Sequence, residues 1–86
     1  MHRVEFRRSA KKDLDSLPKV AGDRITLAIA SLRQQPRPPG RRKIVGSENG
    51  YRIRVGRYRV VYEVRDKELV VLIVRVATRA AAYRGV

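Results

Sequence analysis

The chain of 86 residues carries 21 lysines and arginines against 8 acidic residues, which gives a formal net charge of +13. A chain this short is expected to form one domain over residues 1–86, with a modest core and no room for an enclosed cofactor site. It has no cysteine, and its single histidine is His2. This composition excludes disulfides, thiolate chemistry, and a Ser-His-Asp triad, and we expect no cofactor and no metal.

No apolar stretch reaches the roughly 20 residues that a membrane-spanning helix needs, and the start of the chain shows no apolar signal segment. The sequence therefore predicts a cytoplasmic protein without a membrane partner. Sixteen of its basic residues are arginines, whose planar guanidinium group suits bidentate binding of phosphate or carboxylate. This charge favours a polyanionic partner, either nucleic acid or an acidic protein segment.

The first half of the chain predicts one strand and a helical hairpin. Residues 2–7 alternate weakly and suit a strand, and Ser9 is the candidate N-cap of a helix over residues 10–17. A stronger apolar stripe over residues 19–34 predicts a second helix. The proline-rich residues 36–40 end the hairpin, because proline cannot continue a helix.

The second half predicts three strands. Residues 51–55 and 58–64 alternate, and a Gly56-Arg57 turn of the type II′ pattern joins them. Residues 69–77 form an apolar run broken only by one arginine, as expected for a central strand. The predicted fold is α+β, with an N-terminal strand, a two-helix hairpin and a three-stranded antiparallel meander. The helices are expected to pack on one face of a four-stranded sheet.

The predicted turn brings arginines together on the sheet face away from the helices. It places Arg54 directly opposite Arg59, with Arg52 on the same face. Like charges that oppose each other across strands destabilise a sheet, so a bound anion between the two guanidinium groups would explain the pair. The register therefore predicts a phosphate site, and a plain solvated arginine face is the alternative. Neighbouring basic residues are the candidate RNA-binding groups: Arg41, Arg42, Lys43 and Arg57.

Three further predictions concern residues around this face. Glu63 is expected on the same face, where it can orient an arginine. Arg79 and Tyr83 share a side if the end of the chain is helical, and an aromatic ring beside arginines suits stacking on an unpaired base. The alternative for Tyr83 is packing on the sheet. The other tyrosines fall on the predicted core face and are interpreted as structural: Tyr51, Tyr58 and Tyr62.

Over essentially its whole length the chain resembles the RelE/ParE superfamily of toxins from type II toxin–antitoxin operons. The resemblance rests on residues 6–14, 51–64 and 76–84, above all on Gly-Arg-Tyr-Arg-Val-Val-Tyr-Glu-Val and a final Tyr-Arg. It implies the fold predicted above and a metal-free endoribonuclease that cuts mRNA in the ribosomal A site and so inhibits translation. The ribose 2′-OH attacks the adjacent phosphate, which gives a 2′,3′-cyclic phosphate and a 5′-OH.

The resemblance also implies residue roles. Arg59 and Arg79 would clamp the scissile phosphate, and Tyr83 would stack on or orient a base. Arg52 and Arg54 would complete the anion site, although lysine is common at these two positions in the family. Arginine, with a pKa above about 12, cannot act as a general base. The remaining titratable candidate for the base is Lys43, just before the second predicted strand of the sheet.

Two other functions remain open from the sequence. A ParE-type toxin that inhibits DNA gyrase shares the fold and is not a nuclease, and a basic non-catalytic RNA-binding module would need only the charge. The resemblance implies a cognate antitoxin with an acidic or amphipathic segment, which would cover either the helices or the arginine face. A disordered acidic segment can wrap and neutralise a strongly basic surface.

Overall fold

The computed structural model describes residues 1–78. They form five strands and two helices in the order β1 (Arg3–Phe6), α1 (Arg8–Asp15), α2 (Lys19–Ser31), β2 (Arg42–Lys43), β3 (Gly50–Val55), β4 (Tyr58–Arg65) and β5 (Val70–Thr78). The predicted α+β architecture is confirmed. The two-residue strand β2 adds one strand to the four that were predicted, because the loop after the proline-rich segment returns alongside β3.

The strands form one mixed sheet with the order β1-β5-β4-β3-β2. The strand β1 pairs in parallel with β5, with Arg3 opposite Val70 and Phe6 opposite Ile73. The other neighbours pair in antiparallel fashion. The helical hairpin therefore carries the chain from one edge of the sheet towards the other, and the meander returns so that its last strand lies in the sheet beside β1.

The hairpin of β3 and β4 has the predicted register. Its turn contains Gly56 at a φ of 61°, a left-handed backbone conformation that glycine adopts without strain. Val55 lies opposite Tyr58, and Arg54 lies opposite Arg59. A one-residue slip would exchange the two faces of the hairpin, so this register decides which side chains face the helices.

Both helices pack on one face of the sheet and close a single apolar core. Ala10 of α1 and Ile25 of α2 are fully buried, as is Tyr62 of β4. The Tyr62 hydroxyl donates a hydrogen bond to the Pro36 carbonyl at 2.7 Å, which satisfies the buried polar group. Tyr51 and Tyr58 are half-buried against this core, so the structural interpretation of the three tyrosines is confirmed.

An irregularity in β5 changes the alternation of its side chains. Tyr62 pairs with Ile73, whereas Val61 pairs with Arg75, so Val74 is an extra residue in β5. Without this bulge, strict alternation from Val71 and Ile73 would place Arg75 in the core. The extra residue instead puts Arg75 on the face away from the helices, and Val76 becomes the buried residue.

The predicted N-cap role of Ser9 is wrong. The helix α1 begins at Arg8, Arg7 is its N-cap residue, and no side chain caps it. The Ser9 hydroxyl instead donates a hydrogen bond to the Val74 carbonyl at 3.1 Å. The reason is tertiary: α1 lies along the edge of β5 beyond the end of β1, where a strand carbonyl needs a donor that no neighbouring strand supplies.

Candidate nucleic-acid interface

The sheet face away from the helices, called here the open face, carries its side chains in transverse rows. Opposed residues on paired strands share a face, and the next row on that face lies two residues further along each strand, or three across the bulge in β5. The first row contains Arg54 and Arg59 with Ala77, and the second contains Arg42, Arg52, Val61 and Arg75. The third row contains Gly50, Glu63, Leu72 and Glu5.

The first row consists of the predicted like-charge pair. Arg54 is exposed and Arg59 is half-buried, and they are direct partners in the β3–β4 ladder. Directly opposed side chains in an antiparallel pair have their Cβ atoms about 5 Å apart, close enough for both guanidinium groups to reach one anion. Such bidentate groups bind phosphate oxygens with charge-assisted hydrogen bonds. The register therefore brings two such groups within reach of one point on the open face.

The second row extends the basic surface and contains an arginine that the sequence reasoning missed. Arg42 of β2 lies opposite Arg52, and Arg75 lies on the other side of Val61. The signal was present as the one arginine in the apolar run of β5. It was interpreted only as an interruption because the bulge at Val74 has no clear sequence signature.

The third row interrupts the positive charge. Glu63 lies on the open face as expected, and its carboxylate contacts Arg65 at 3.0 Å and Arg7 at 3.6 Å. Glu5 lies in the same row and pairs with Arg3 at 2.8 Å. The two carboxylates therefore place negative charge between the second row and the arginines at the far end of the sheet, Arg3 and Arg65.

The remaining sequence candidates do not share the open face. Lys43 lies opposite Tyr51, on the helix side of the sheet, and its Nζ donates to the carbonyls of Ser47 and Glu48 at 2.6 Å each. Arg57 lies in the β3–β4 turn and lines a shallow cavity of about 380 Å³ with Arg24. Arg41 is exposed in the loop before β2. The structure thus brings Arg42 to the predicted arginines and leaves Lys43, Arg57 and Arg41 elsewhere.

A second polar cluster stands at the end of the sheet away from the first row. Arg37 contacts Asp66 at 2.8 Å and donates to the Tyr51 hydroxyl at 3.0 Å, and His2 lies 3.1 Å from Asp66. The hydrogen bond from Arg37 lowers the pKa of the Tyr51 hydroxyl. Hydrogen bonds from Arg37 and then His2 lower the pKa of the Asp66 carboxyl. These contacts join the start of the chain, the proline-rich segment and the β4–β5 turn, so the cluster is structural.

Arg79 and Tyr83 lie outside the described residues. Within residues 1–78, no group of three or more histidine or acidic side chains is arranged to hold a metal ion. Neither of the two described helices has the length and apolar character needed to cross a membrane.

Comparisons with known proteins agree with the resemblance. Residues 4–83 match the family model described as ParE toxin of type II toxin-antitoxin system, parDE. The toxin RelG of Mycobacterium tuberculosis is 33% identical over 85 residues, which cover 94% of each chain. RelE1 of Methanocaldococcus jannaschii is 30% identical over 85 residues, or 95% of this chain and 94% of that protein.

Solved structures share the fold. The archaeal RelE–RelB complex from Pyrococcus horikoshii superposes with a TM-score of 0.80 at 32% identity, covering 91% of this chain and 94% of that one. The isolated E. coli RelE toxin gives a TM-score of 0.81 at 22% identity with full coverage of both chains, a likeness in fold. With a family match over nearly the whole sequence and relatives at 30% and 33% identity, this chain belongs to the RelE/ParE family of toxins of type II toxin–antitoxin systems.

Proposed function

We propose that this toxin is a ribosome-dependent, metal-independent endoribonuclease that cleaves mRNA and so inhibits translation. The observation that carries the proposal is the opposition of Arg54 and Arg59 on the open face. Like charges that oppose each other across strands repel, and a phosphodiester bound between them offsets that repulsion. The similarity to toxins named RelG and RelE1 supports the RelE branch of the family.

The reaction consistent with these residues is an internal transesterification. The ribose 2′-oxygen forms a bond to phosphorus, the bond from phosphorus to the 5′-oxygen breaks, and negative charge develops on the non-bridging oxygens. Arg54 and Arg59, with Arg79 by the resemblance, would stabilise that charge, and preorganised donors are often the largest contribution to such catalysis. Tyr83 would orient a base. The 2′-OH gives up a proton and the leaving 5′-oxygen gains one.

Proton transfer is the step that the arginines do not perform, because they stay protonated at every relevant pH. Within residues 1–78 the histidine lies in the Asp66 cluster, and the Nζ of Lys43 is held by two carbonyls on the helix side. Catalysis by this chain therefore depends on positioning and charge stabilisation. Dependence on the ribosome is part of what the resemblance to RelE-type toxins implies, and we propose on that ground that the ribosome presents the mRNA.

The proposed partner in the cell is a cognate antitoxin with an acidic segment. Related structures are toxin–antitoxin complexes, such as RelE–RelB from Pyrococcus horikoshii and RelB–RelE from Methanococcus jannaschii. The formal charge of +13 supports an acidic partner, because electrostatic complementarity speeds association and neutralises the basic surface.

A second candidate is inhibition of DNA gyrase, which the match to the ParE family model favours. One experiment separates the candidates: purified toxin is incubated with programmed ribosomes and, separately, with gyrase and a plasmid. We expect codon-phased primer-extension stops in mRNA and unchanged supercoiling. Loss of supercoiling without mRNA cleavage would establish the gyrase function, and RNA binding without either effect would leave a non-catalytic module.

Variants then test the site. Arg59→Ala and Arg79→Ala should each lower mRNA cleavage by about a hundredfold or more, the scale of losing one donor to a developing oxyanion. Arg3→Gln removes one positive charge elsewhere on the same sheet face and should retain cleavage. Full activity in both alanine variants would contradict the assigned site.

A further inference from the structure

The open face offers two arginine rows of different construction. In the first row Arg54 and Arg59 are adjacent, whereas in the second Arg52 and Arg75 lie on either side of Val61. Two strand spacings separate the backbones of these flanking arginines by about 10 Å, and an arginine side chain from each side can span that gap. Val61 is only 8% exposed although it lies on this face, so the second row has an apolar floor between two cationic sides.

We propose that the second row is a binding subsite for a second phosphate of the RNA strand, adjacent to the phosphate held by the first row. The inference rests on the proposed RNA-binding function and extends it to Arg75. The rows are two residues apart along the strands, about 7 Å, which is on the scale of one nucleotide step in an extended strand. Successive phosphates can therefore meet successive rows.

The position of Arg75 is fixed by contacts from α1. Its Nε is buried and lies 3.6 Å from the Asp13 carboxylate, while 39% of its side chain remains exposed. The same Asp13 oxygen accepts the Val76 N–H at 3.0 Å. The bulge that turns Arg75 out of the core is thus held in place from the edge of the sheet, and the Arg75 side chain lies beside Asp13 with part of it at the surface.

Charge limits the subsite to this row. The next row contains the carboxylates of Glu63 and Glu5, which pair with Arg65 and Arg3 at the far end of the sheet and, for Glu63, also with Arg7 on the side of the second row. A third phosphate placed there would meet acidic groups instead of a continued arginine track. The structure therefore assigns two phosphate positions to the open face in this direction.

The test uses short RNA analogues whose 2′-oxygens are methylated, so that binding is measured without cleavage. Trinucleotides carry either two charged phosphates or one charged phosphate and one neutral methylphosphonate, and binding is followed by chemical-shift titration. Arg75→Gln should weaken binding of the two-phosphate compound about fivefold to tenfold, the scale of one charge-assisted contact. It should leave the one-phosphate compounds unchanged, because they occupy the first row.

The salt dependence supplies an independent readout. For the wild-type protein the slope of log affinity against log salt should be about −1.4 with two phosphates and about −0.7 with one. Arg75→Gln should reduce the two-phosphate slope to about −0.7. The control Arg3→Gln removes a charge beyond the acidic row and should preserve the difference between the two compounds.

The outcomes separate this inference from the proposed function. The second subsite alone is overturned if Arg75→Gln weakens binding of the one-phosphate and two-phosphate compounds equally, or if it weakens binding of neither. If the wild-type protein binds neither compound, the second subsite is overturned, whereas the proposed function is decided separately by mRNA cleavage on programmed ribosomes. Should Arg75→Gln fail to fold, equal wild-type affinity and slope for one and two phosphates would still refute the subsite.

Discussion

The carboxylate of Asp13 accepts a hydrogen bond from the backbone N–H of Val76 at 3.0 Å, joining residues 63 positions apart in the chain. Their meeting follows from the short first strand, because β1 ends at Phe6, which pairs with Ile73. Beyond that point Asp13 and Ser9 bind backbone groups of β5 from α1. Side chains of a helix thus complete the hydrogen bonding of a strand edge and protect it from pairing with another chain.

Replacement of Asp13 tests this arrangement. Asp13→Ala should lower the free energy of unfolding by about 1–3 kcal/mol, because the part-buried Val76 N–H loses its acceptor. Asp13→Asn should lose less, since the amide oxygen can still accept. Urea denaturation measures both, with the exposed Asp15→Ala as the control. Equal losses for alanine and asparagine would show that the hydrogen bond to Val76 is not what Asp13 contributes.

Removing one member of the first-row pair should separate stability from binding. Arg54→Gln should raise the free energy of unfolding by about 0.2–1 kcal/mol, because two like charges no longer oppose each other across the strands. Thermal unfolding at low salt measures this gain, and RNA affinity should fall in the same variant. A gain that vanishes in high salt agrees with the electrostatic cause, whereas a loss of stability at low salt would contradict it.

The buried hydroxyl of Tyr62 predicts an alkaline transition. Burial raises the Tyr62 pKa from 10.0 to about 12, so the folded protein retains a proton that the unfolded chain releases. Stability should therefore be intact below pH 10 and fall as the pH rises from about 10 towards 12. The variant Tyr62→Phe should lose about 1–2 kcal/mol at neutral pH, because the Pro36 carbonyl loses its donor.

Unfolding free energies measured from pH 8 to pH 12 check this assignment. Tyr62→Phe should show a smaller decline above pH 10 than the wild-type protein, and Tyr58→Phe serves as the matched control. An unchanged alkaline decline in Tyr62→Phe would assign the transition to another group.

The Asp66 cluster predicts an acid transition. The hydrogen bond from Arg37, followed by that from His2, holds the pKa of Asp66 below its usual 3.8. A carboxyl with a lowered pKa stabilises the folded state above its unfolded pKa, and this contribution is lost as the pH falls through the folded value. Asp66→Asn should therefore be less stable than wild type at pH 7, and the difference should shrink below about pH 4. The free energy of unfolding is measured in acid titrations, with Asp15→Asn for comparison. A difference between wild type and Asp66→Asn that stays constant with pH would show that the Asp66 charge is not its cause.

The part of the site that sequence predicted is the part governed by local rules. The turn at Gly56 and the alternation of two neighbouring strands fix which residues oppose each other, so the pairing of Arg54 with Arg59 follows from about fifteen consecutive residues. The core face and the three structural tyrosines follow from the same alternation. The fold class followed from the order of apolar periods along the chain.

The parts that sequence missed depend on contacts distant along the chain. The local sequence predicts a helix cap at Ser9, but its hydroxyl donates a hydrogen bond to the Val74 carbonyl because α1 lies against an exposed strand edge. Arg75 reads as an interruption of a buried strand, but the bulge beside it turns it to the surface. Lys43 reads as part of a basic run, although β2 pairing directs it to the helix side. Each depends on a neighbour that local propensity does not identify.

The parallel pairing of β1 with β5 also determines when this protein can fold. Arg3 finds its partner at Val70, so the first strand made by the ribosome stays unpaired until nearly the whole chain has been synthesised. Contacts this distant in sequence slow folding, because a long loop must close before they form. A chain that stops before β5 also lacks Arg75 and the strand on which α1 rests. A product truncated before β5 therefore keeps the residues of the first-row pair but lacks the complete second row and the closed core.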